Sequence, residues 1–215
     1  MPFKKRTDKY YHLTCWSPES IPVGRPIYTP HNESNYWKKH SNIDELTKLI
    51  ALDTKQHPLF KLLNDENLEK LAISKAKAES AKESLLEDIR LDSFPHLPSR
   101  RRCIFLCESE EQLNIYLEKY QFPRKGRVVL ELETIYFDPV SEECWTSFGL
   151  TEKVFRQLNE CRRFRANPKF LNCNSLPLDE KKSMLQRYWL GQETSSEHLT
   201  EVLYEGFYRV TRIIQ

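Results

Sequence analysis

Glycine is scarce in this chain, with five glycines among 215 residues. Glycine-rich loops let the backbone approach a phosphate closely, and the sequence contains neither GxGxxG nor GxxxxGK[ST]. The patterns GxSxG and HExxH are absent as well. The sequence therefore excludes the usual phosphate-binding loops, the nucleophile turn of the α/β-hydrolases and the helical zinc-protease motif. A bound nucleotide would have to be held by side chains.

An excess of charge is lacking too, because 33 basic residues face 31 acidic ones and the formal net charge is +2. This balance gives no whole-chain argument for binding nucleic acid or a membrane surface. No apolar run approaches the about 20 residues that span a bilayer. The opening MPFKKRTDKY lacks the apolar region of a secretory signal. We expect a cytoplasmic protein, or a bacterial effector exported without a cleaved signal.

Aromatic residues are plentiful, at 12% of the chain, and they argue against disorder although 30% of the residues are charged. The length suits one domain, which we take to span residues 1–215. No CxxC pair occurs, so the sequence disfavours a zinc site and predicts free thiols. The six cysteines are Cys15, Cys103, Cys107, Cys144, Cys161 and Cys173.

The hydrophobic periodicity predicts a mixed α+β fold. The clearest helix is Glu66–Arg90, with Lys and Glu on a face that we expect to be solvated. Its opposite, apolar face is predicted to consist of Leu68, Leu71, Ala78, Ala81, Leu85 and Ile89. Because strands and helices do not alternate strictly, α+β is favoured over a doubly wound sheet. Further helices are predicted at 42–52, after Ser109, at 151–164 and at 178–190, and strands at 9–14, 100–107, after Gly126, at 201–204 and at 207–214.

Three consecutive arginines occur in FPHLPSRRRCIF, residues 94–105. Guanidinium groups match phosphate oxygens, so this segment is a candidate phosphate contact, and a solvated basic turn is the alternative. If the segment is a strand, alternation directs Arg100 and Arg102 to one face and Arg101 to the other.

Two polar segments lie near the ends of the chain. In YYHLT, residues 10–14, His12 and Thr14 would share one face of the first strand. In YWLGQETSSEHLTEVLYEG, residues 188–206, a polar loop after Gly191 leads to Glu201 at the start of a strand. A carboxylate there can hold a reacting sugar or water. The alternatives are a core or capping role for His12 and a surface position for the glutamate.

In this order, the strand YYHLT, the long helix ending EDIRLDSFPHLPSR, the strand CIFL with its Ser-capped helix, and YWLG…EVLYEG resemble the ADP-ribosyltransferase fold. The likeness is to a bacterial branch with a Pro-Ser-Arg turn and a late Tyr-Trp…Glu segment, and it touches about half of the chain. It implies split antiparallel sheets with flanking helices, including one long helix at about 65–90. It also implies a mono-ADP-ribosyltransferase, a transferase of the glycosyltransferase class, that uses NAD as substrate and no metal.

The same resemblance implies roles for individual residues. Glu201 matches the catalytic glutamate, which stabilises an oxocarbenium-like cation. His12 matches the histidine that binds an NAD ribose hydroxyl, and Thr14 lies beside it. The acceptor would be a protein or a nucleic acid. Leu199, two residues before Glu201, departs from the Glu-x-Glu of the members that modify arginine, which argues against an arginine acceptor.

The other implied contacts are to the rest of the cofactor. Ser99 and Arg100 of the Pro-Ser-Arg turn are predicted to bind NAD, with Arg100 neutralising the pyrophosphate. Phe105 falls near the tyrosine that stacks on nicotinamide, and Tyr116 is the candidate second ring.

Two alternative functions stay open at this point. Leu13 replaces a frequent glycine and Phe105 a tyrosine, departures that favour a degraded binding module of the same fold for a nucleotide or a partner. A nucleic-acid-binding protein is the other alternative. It would use the basic residues Arg100, Arg101, Arg102, Arg162, Arg163 and Arg165.

Overall fold

A computed structural model describes residues 5–14, 17–29, 42–56, 65–119, 128–137, 162–191 and 200–214. Helices and strands are mixed in these ranges, which confirms the α+β prediction. No helix in the described ranges is both long and apolar enough to cross a membrane. The main elements are β1 (Lys5–Thr14), β2 (Pro26–Thr29), α1 (Ile43–Gln56), α2 (Asp65–Ser93), β3 (Ile104–Leu106), α3 (Glu110–Lys119), β4 (Val128–Phe137), β5 (Arg162–Ala166), α4 (Leu178–Trp189) and β6 (Glu201–Ile214).

The strands form a curled antiparallel sheet with β6 at its centre. The first part of β6 pairs with β3 and β5, and the second part pairs with β2 and β4. β4 also pairs with β1 along its whole length. Tyr11 of β1 and Cys107, just after β3, exchange backbone hydrogen bonds of 2.9 and 2.8 Å. The sheet therefore bends far enough for β3 to touch both β6 and β1.

Gly206 marks the change of partners within β6. Residues 201–205 pair with β5, while residues 206–209 pair with β2. The sequence predicts two strands broken at this glycine, and the structure instead has one continuous strand of 14 residues. The glycine adopts φ 153°, a conformation that side chains disfavour, at the point where the strand leaves one set of neighbours for the other.

Two apolar cores lie on opposite faces of the sheet. One is built from inward residues of β1, β3, β4 and β6, such as Tyr10, Leu132 and Val210. The other lies between the sheet and the helices α2 and α4, and includes Leu86 and Trp189. The Trp189 indole donates a 2.8 Å hydrogen bond to the Leu86 carbonyl, which ties α4 to α2. Phe105 and Tyr188, which are discussed below, pack in this second, helix-covered layer.

The helix predicted at 66–90 is confirmed as α2, but its solvated face is wrong in part. Glu83, Glu87 and Arg90 are buried, whereas Ala81, which the prediction placed on the apolar face, is exposed. Burying a carboxylate is costly unless a cation pairs with it. The spacing of apolar residues carries no information on such pairs, so it could not predict these buried charges.

Two further predictions are wrong at their boundaries. Residues 99–102 form a turn rather than the start of a strand, because the Ser99 carbonyl accepts hydrogen bonds from the amides of Arg102 and Cys103. Strand alternation therefore does not set the direction of the three arginines. Phe164 lies in β5, not at the end of a helix, and the rest of that predicted helix, residues 151–161, lies outside the described residues.

Candidate functional site

The turn at residues 99–102 directs Arg100 into the protein. Arg100 is 2% exposed, whereas the side chain of Arg102 is 48% exposed. The basic run is thus divided between a buried guanidinium and a surface one, and Arg100 needs internal partners for its charge.

Those partners come from three other elements. The Arg100 Nε donates to Glu83 Oε2 at 3.0 Å, and its Nη2 donates to Glu83 Oε1 at 3.3 Å. Its Nη1 donates at 2.6 Å both to the Tyr188 hydroxyl and to Glu201 Oε1. The guanidinium also lies 4.8 Å from the ring centroid of Phe105. We call Glu83, Arg100, Phe105, Tyr188 and Glu201 the Arg100 cluster.

The two oxygens of Glu201 have different surroundings. Oε1 accepts from Arg100 Nη1 at 2.6 Å and from the Tyr188 hydroxyl at 2.5 Å. Among the described residues, none donates to Oε2. Burial raises the pKa of the Tyr188 phenol well above its usual value, so this hydroxyl keeps its proton and acts as a donor. Both donors of the described residues therefore hold the carboxylate at the same oxygen, Oε1.

The buried charges of the Arg100 cluster have to be paired closely. Glu83 and Glu201 contribute two carboxylates against the single guanidinium of Arg100. Charges taken out of water are tolerated only when hydrogen bonds and ion pairs of good geometry compensate them. The side-on pairing of Glu83 with Arg100 is the charge-assisted fork that supplies this compensation.

The neighbouring thiols respond to the same environment. Burial raises the pKa of Cys107 to about 12, and the charge of Glu201 contributes to the shift. Burial also raises the pKa of Cys103 well above its usual value. Both thiols stay protonated at neutral pH, so neither is a nucleophile here. Among the described residues, no group of His, Cys, Asp and Glu side chains has the arrangement of a metal site.

A second polar cluster fixes the turn that carries Arg100. The Ser99 hydroxyl donates to Glu87 at 2.7 Å, and its amide donates to Glu205 at 2.8 Å. Arg90 pairs with Glu87 at 2.9 Å and donates to the Leu97 carbonyl at 3.1 Å. Burial raises the pKa of Glu205 above its usual value. These contacts anchor the turn to α2 and β6, and we call Glu87, Arg90, Ser99 and Glu205 the Ser99 cluster.

His12 reaches the Arg100 cluster through the backbone of β3. Its Nδ1 lies 2.8 Å from the Phe105 carbonyl oxygen. Burial lowers the pKa of His12, and the hydrogen bond to Phe105 opposes this shift only in part. The ring is therefore neutral at pH 7, with Nδ1 as the donor and Nε2 as an acceptor. Thr14, two residues further along β1, is buried.

The structure links four of the predicted site residues by direct contacts. His12 touches the Phe105 backbone, Arg100 lies over the Phe105 ring, and Arg100 pairs with Glu201. Ser99 belongs to the neighbouring cluster. Tyr116 lies half-buried on α3, a helix that contacts β1 and whose Gln112 bonds Thr200 at 3.4 Å, beside Glu201.

Sequence reasoning missed two members of the Arg100 cluster. Tyr188 lies in the YWLG segment that carries part of the resemblance, near the C-terminal end of α4. This position was the signal that could have identified it as a member of the cluster. Glu83 lies among the charged residues of α2 and has no local feature that separates it from its exposed neighbours.

A family model described as a protein of unknown function (DUF2441) matches residues 10–215. The match includes every residue of the two clusters and His12. No curated protein matches the chain.

Proposed function

The chain belongs to the DUF2441 family, and we propose from its own site that it is an NAD-dependent mono-ADP-ribosyltransferase with Glu201 as its catalytic residue. The observation that carries the proposal is the asymmetry of this carboxylate. Arg100 and Tyr188 hold Oε1, and Oε2 has no donor among the described residues. A carboxylate that is oriented in advance suits the stabilisation of a developing positive charge.

The proposed reaction transfers ADP-ribose to an acceptor. The bond between ribose C1′ and the nicotinamide nitrogen breaks, and its electron pair goes to that nitrogen, which neutralises the pyridinium ring. The lone pair of the acceptor forms the new bond to C1′, and the acceptor's proton leaves to water. Positive charge builds on the ribose between these events, and Glu201 Oε2 would face that charge or bind the 2′-hydroxyl. The acceptor would be a protein or a nucleic acid.

The residues around Glu201 supply groups that suit parts of NAD. Phe105 offers an aromatic ring for nicotinamide, and the neutral His12 keeps Nε2 as an acceptor for a ribose hydroxyl. Arg100 already pairs with Glu83 and Glu201, so a pyrophosphate would have to share it. Contacts of Thr14, Ser99 and Tyr116 with the cofactor stay predictions.

The second candidate is a module of the same fold that binds NAD or another nucleotide without turnover. The observation that favours it is the pairing of Glu201, which is 6% exposed, with the guanidinium of Arg100, which offsets part of its charge. Under this candidate the cluster stabilises the fold, and ligand binding does not break the bond to nicotinamide.

Release of nicotinamide from NAD, measured by chromatography, separates the two candidates. We expect the wild type to release it and Glu201→Gln to lower the rate by about 10²-fold or more. Glu131→Gln is the control, because Glu131 is a buried carboxylate on β4 that pairs with Lys9 and Arg212 and belongs to neither cluster. We expect the rate of this control to stay within about threefold of wild type.

Two outcomes would remove the transferase proposal. One is a wild type that releases no nicotinamide and labels no acceptor. The other is an equal loss of rate in both variants. Thermal stabilisation by NAD without turnover would then support the binding module, since a ligand that binds the folded state raises its stability by mass action.

A further inference from the structure

We propose that Glu83 is a positioning residue that acts on Glu201 through Arg100, an inference that rests on the proposed function. Glu83 lies on α2, and its side chain is 1% exposed. It pairs with the Nε and Nη2 edge of Arg100, the edge opposite to the contact with Glu201. The guanidinium thus connects Glu83 to Glu201.

The geometry of the guanidinium explains what Glu83 does. A guanidinium frequently presents two nitrogens in a fork to a carboxylate. In this cluster Glu83 takes the fork, and Glu201 receives a single nitrogen, Nη1, at one oxygen. The buried carboxylate on α2 thereby leaves Glu201 Oε2 without a donor among the described residues.

Removing the charge of Glu83 changes which carboxylate receives the two-nitrogen fork of Arg100. In Glu83→Gln the amide accepts through one oxygen only and presents its NH₂ group to the guanidinium. Glu201 is then the remaining carboxylate of the Arg100 cluster, and the fork turns toward it and covers Oε2. Because Oε2 would act on the charge that develops in the transition state, the loss falls on kcat rather than on KM.

The chain offers a control carboxylate outside both clusters. Glu131 on β4 is also buried, and it pairs with Lys9 and Arg212. Glu131→Gln makes the same chemical change without touching Arg100 or the turn that carries it. It reports what the loss of a buried, ion-paired carboxylate does by itself.

The kinetic experiment compares nicotinamide release by both variants. We expect Glu83→Gln to lower kcat by about 10²-fold with KM within about threefold, and Glu131→Gln to keep both within about threefold. Glu83→Asp keeps the charge on a shorter side chain, and we expect it to recover at least about tenfold of the lost kcat. Equal losses in Glu83→Gln and Glu131→Gln, or no recovery in Glu83→Asp, would overturn the positioning role.

A structural readout is independent of turnover and separates this inference from the transferase proposal. Crystal structures of Glu83→Gln and Glu83→Asp are compared with wild type. We expect Arg100 to contact both oxygens of Glu201 in Glu83→Gln and one oxygen in Glu83→Asp. An unchanged contact between Arg100 and Glu201 in Glu83→Gln refutes the inference even if the enzyme turns over NAD. If the wild type does not turn over NAD, the crystal structures still test how Glu83 positions Glu201.

Discussion

Replacing Arg100 with methionine tests whether the Arg100 cluster is held together by charge. The substitution keeps an apolar side chain against Phe105 but leaves Glu83 and Glu201 buried without their cation. Removing one partner of a buried ion pair costs about 3–5 kcal/mol. For a protein of this size, about 1 kcal/mol corresponds to roughly 2–4 °C in Tm, so we expect a loss of about 6–20 °C.

The assay is urea unfolding followed by circular dichroism, with a control and a rescue variant. Arg209→Met removes an ion pair with Glu133 at 2.7 Å in which both side chains are partly exposed, and we expect it to cost less than about 1 kcal/mol. The triple variant Arg100→Met, Glu83→Gln, Glu201→Gln removes all three buried charges. We expect it to regain most of the lost stability, because apolar or neutral replacement of a buried ion cluster is often close to neutral.

Two results would refute the idea that charge holds the Arg100 cluster together. If Arg100→Met and Arg209→Met lower the free energy of unfolding by similar amounts, the cluster is open to water and its charges are screened. A triple variant less stable than Arg100→Met would show that packing, rather than uncompensated charge, sets the cost.

Three further predictions concern pH and backbone conformation. Burial lowers the pKa of His12, so the unfolded state binds a proton more readily and the free energy of unfolding falls as the pH drops below about 6.5. His12→Gln should weaken this dependence of stability on pH, measured by urea unfolding at several pH values. An unchanged pH dependence would contradict the neutral, buried state of His12. Burial raises the pKa values of Tyr208 and Cys107 to about 12. The stability that these groups contribute is therefore present below their ordinary pKa values and is lost as the pH rises toward about 12. Urea denaturation midpoints that stay constant between about pH 8 and 11 would contradict this. Gly191 and Gly24 have φ of 63° and 79°, and a Cβ at either position would meet no atom closer than 3.4 Å. Both alanine variants should therefore lose about 1–2 kcal/mol to backbone strain, and a variant as stable as wild type in urea unfolding would contradict these backbone conformations.

Local chemistry explains which elements the sequence could predict. The helix predicted at 178–190 matches α4, Leu178–Trp189, because Pro177 precedes it and Gly191 follows it. The cap of α3 is also confirmed, since the Ser109 hydroxyl accepts from the Gln112 amide at 3.1 Å. These signals involve residues within a few positions of each other, and a sequence displays them directly.

The Arg100 cluster could be predicted only in part, because its partners are far apart in the chain. The sequence pointed to Arg100 and Glu201 through residue type and resemblance, but it did not show that the two side chains pair with each other. Which of many glutamates on a charged helix turns inward depends on the tertiary position of the Ser99 turn. Glu83, which is 17 positions from Arg100, therefore became visible only in the structure.

The central place of β6 has a consequence for how the protein folds. Its registers join Phe207 to Tyr28 and Glu201 to Ala166, so its pairings range from nearby segments to ones almost the whole chain away. Such non-local contacts require large loops to close before they contribute, which gives a high contact order and slow folding. Until β6 docks, the hydrogen-bonding edges of β2, β3, β4 and β5 that it will occupy stay open to other chains. We therefore expect refolding yields to fall with protein concentration, with the carboxylate of Glu201 reaching its arginine only when this last strand is in place.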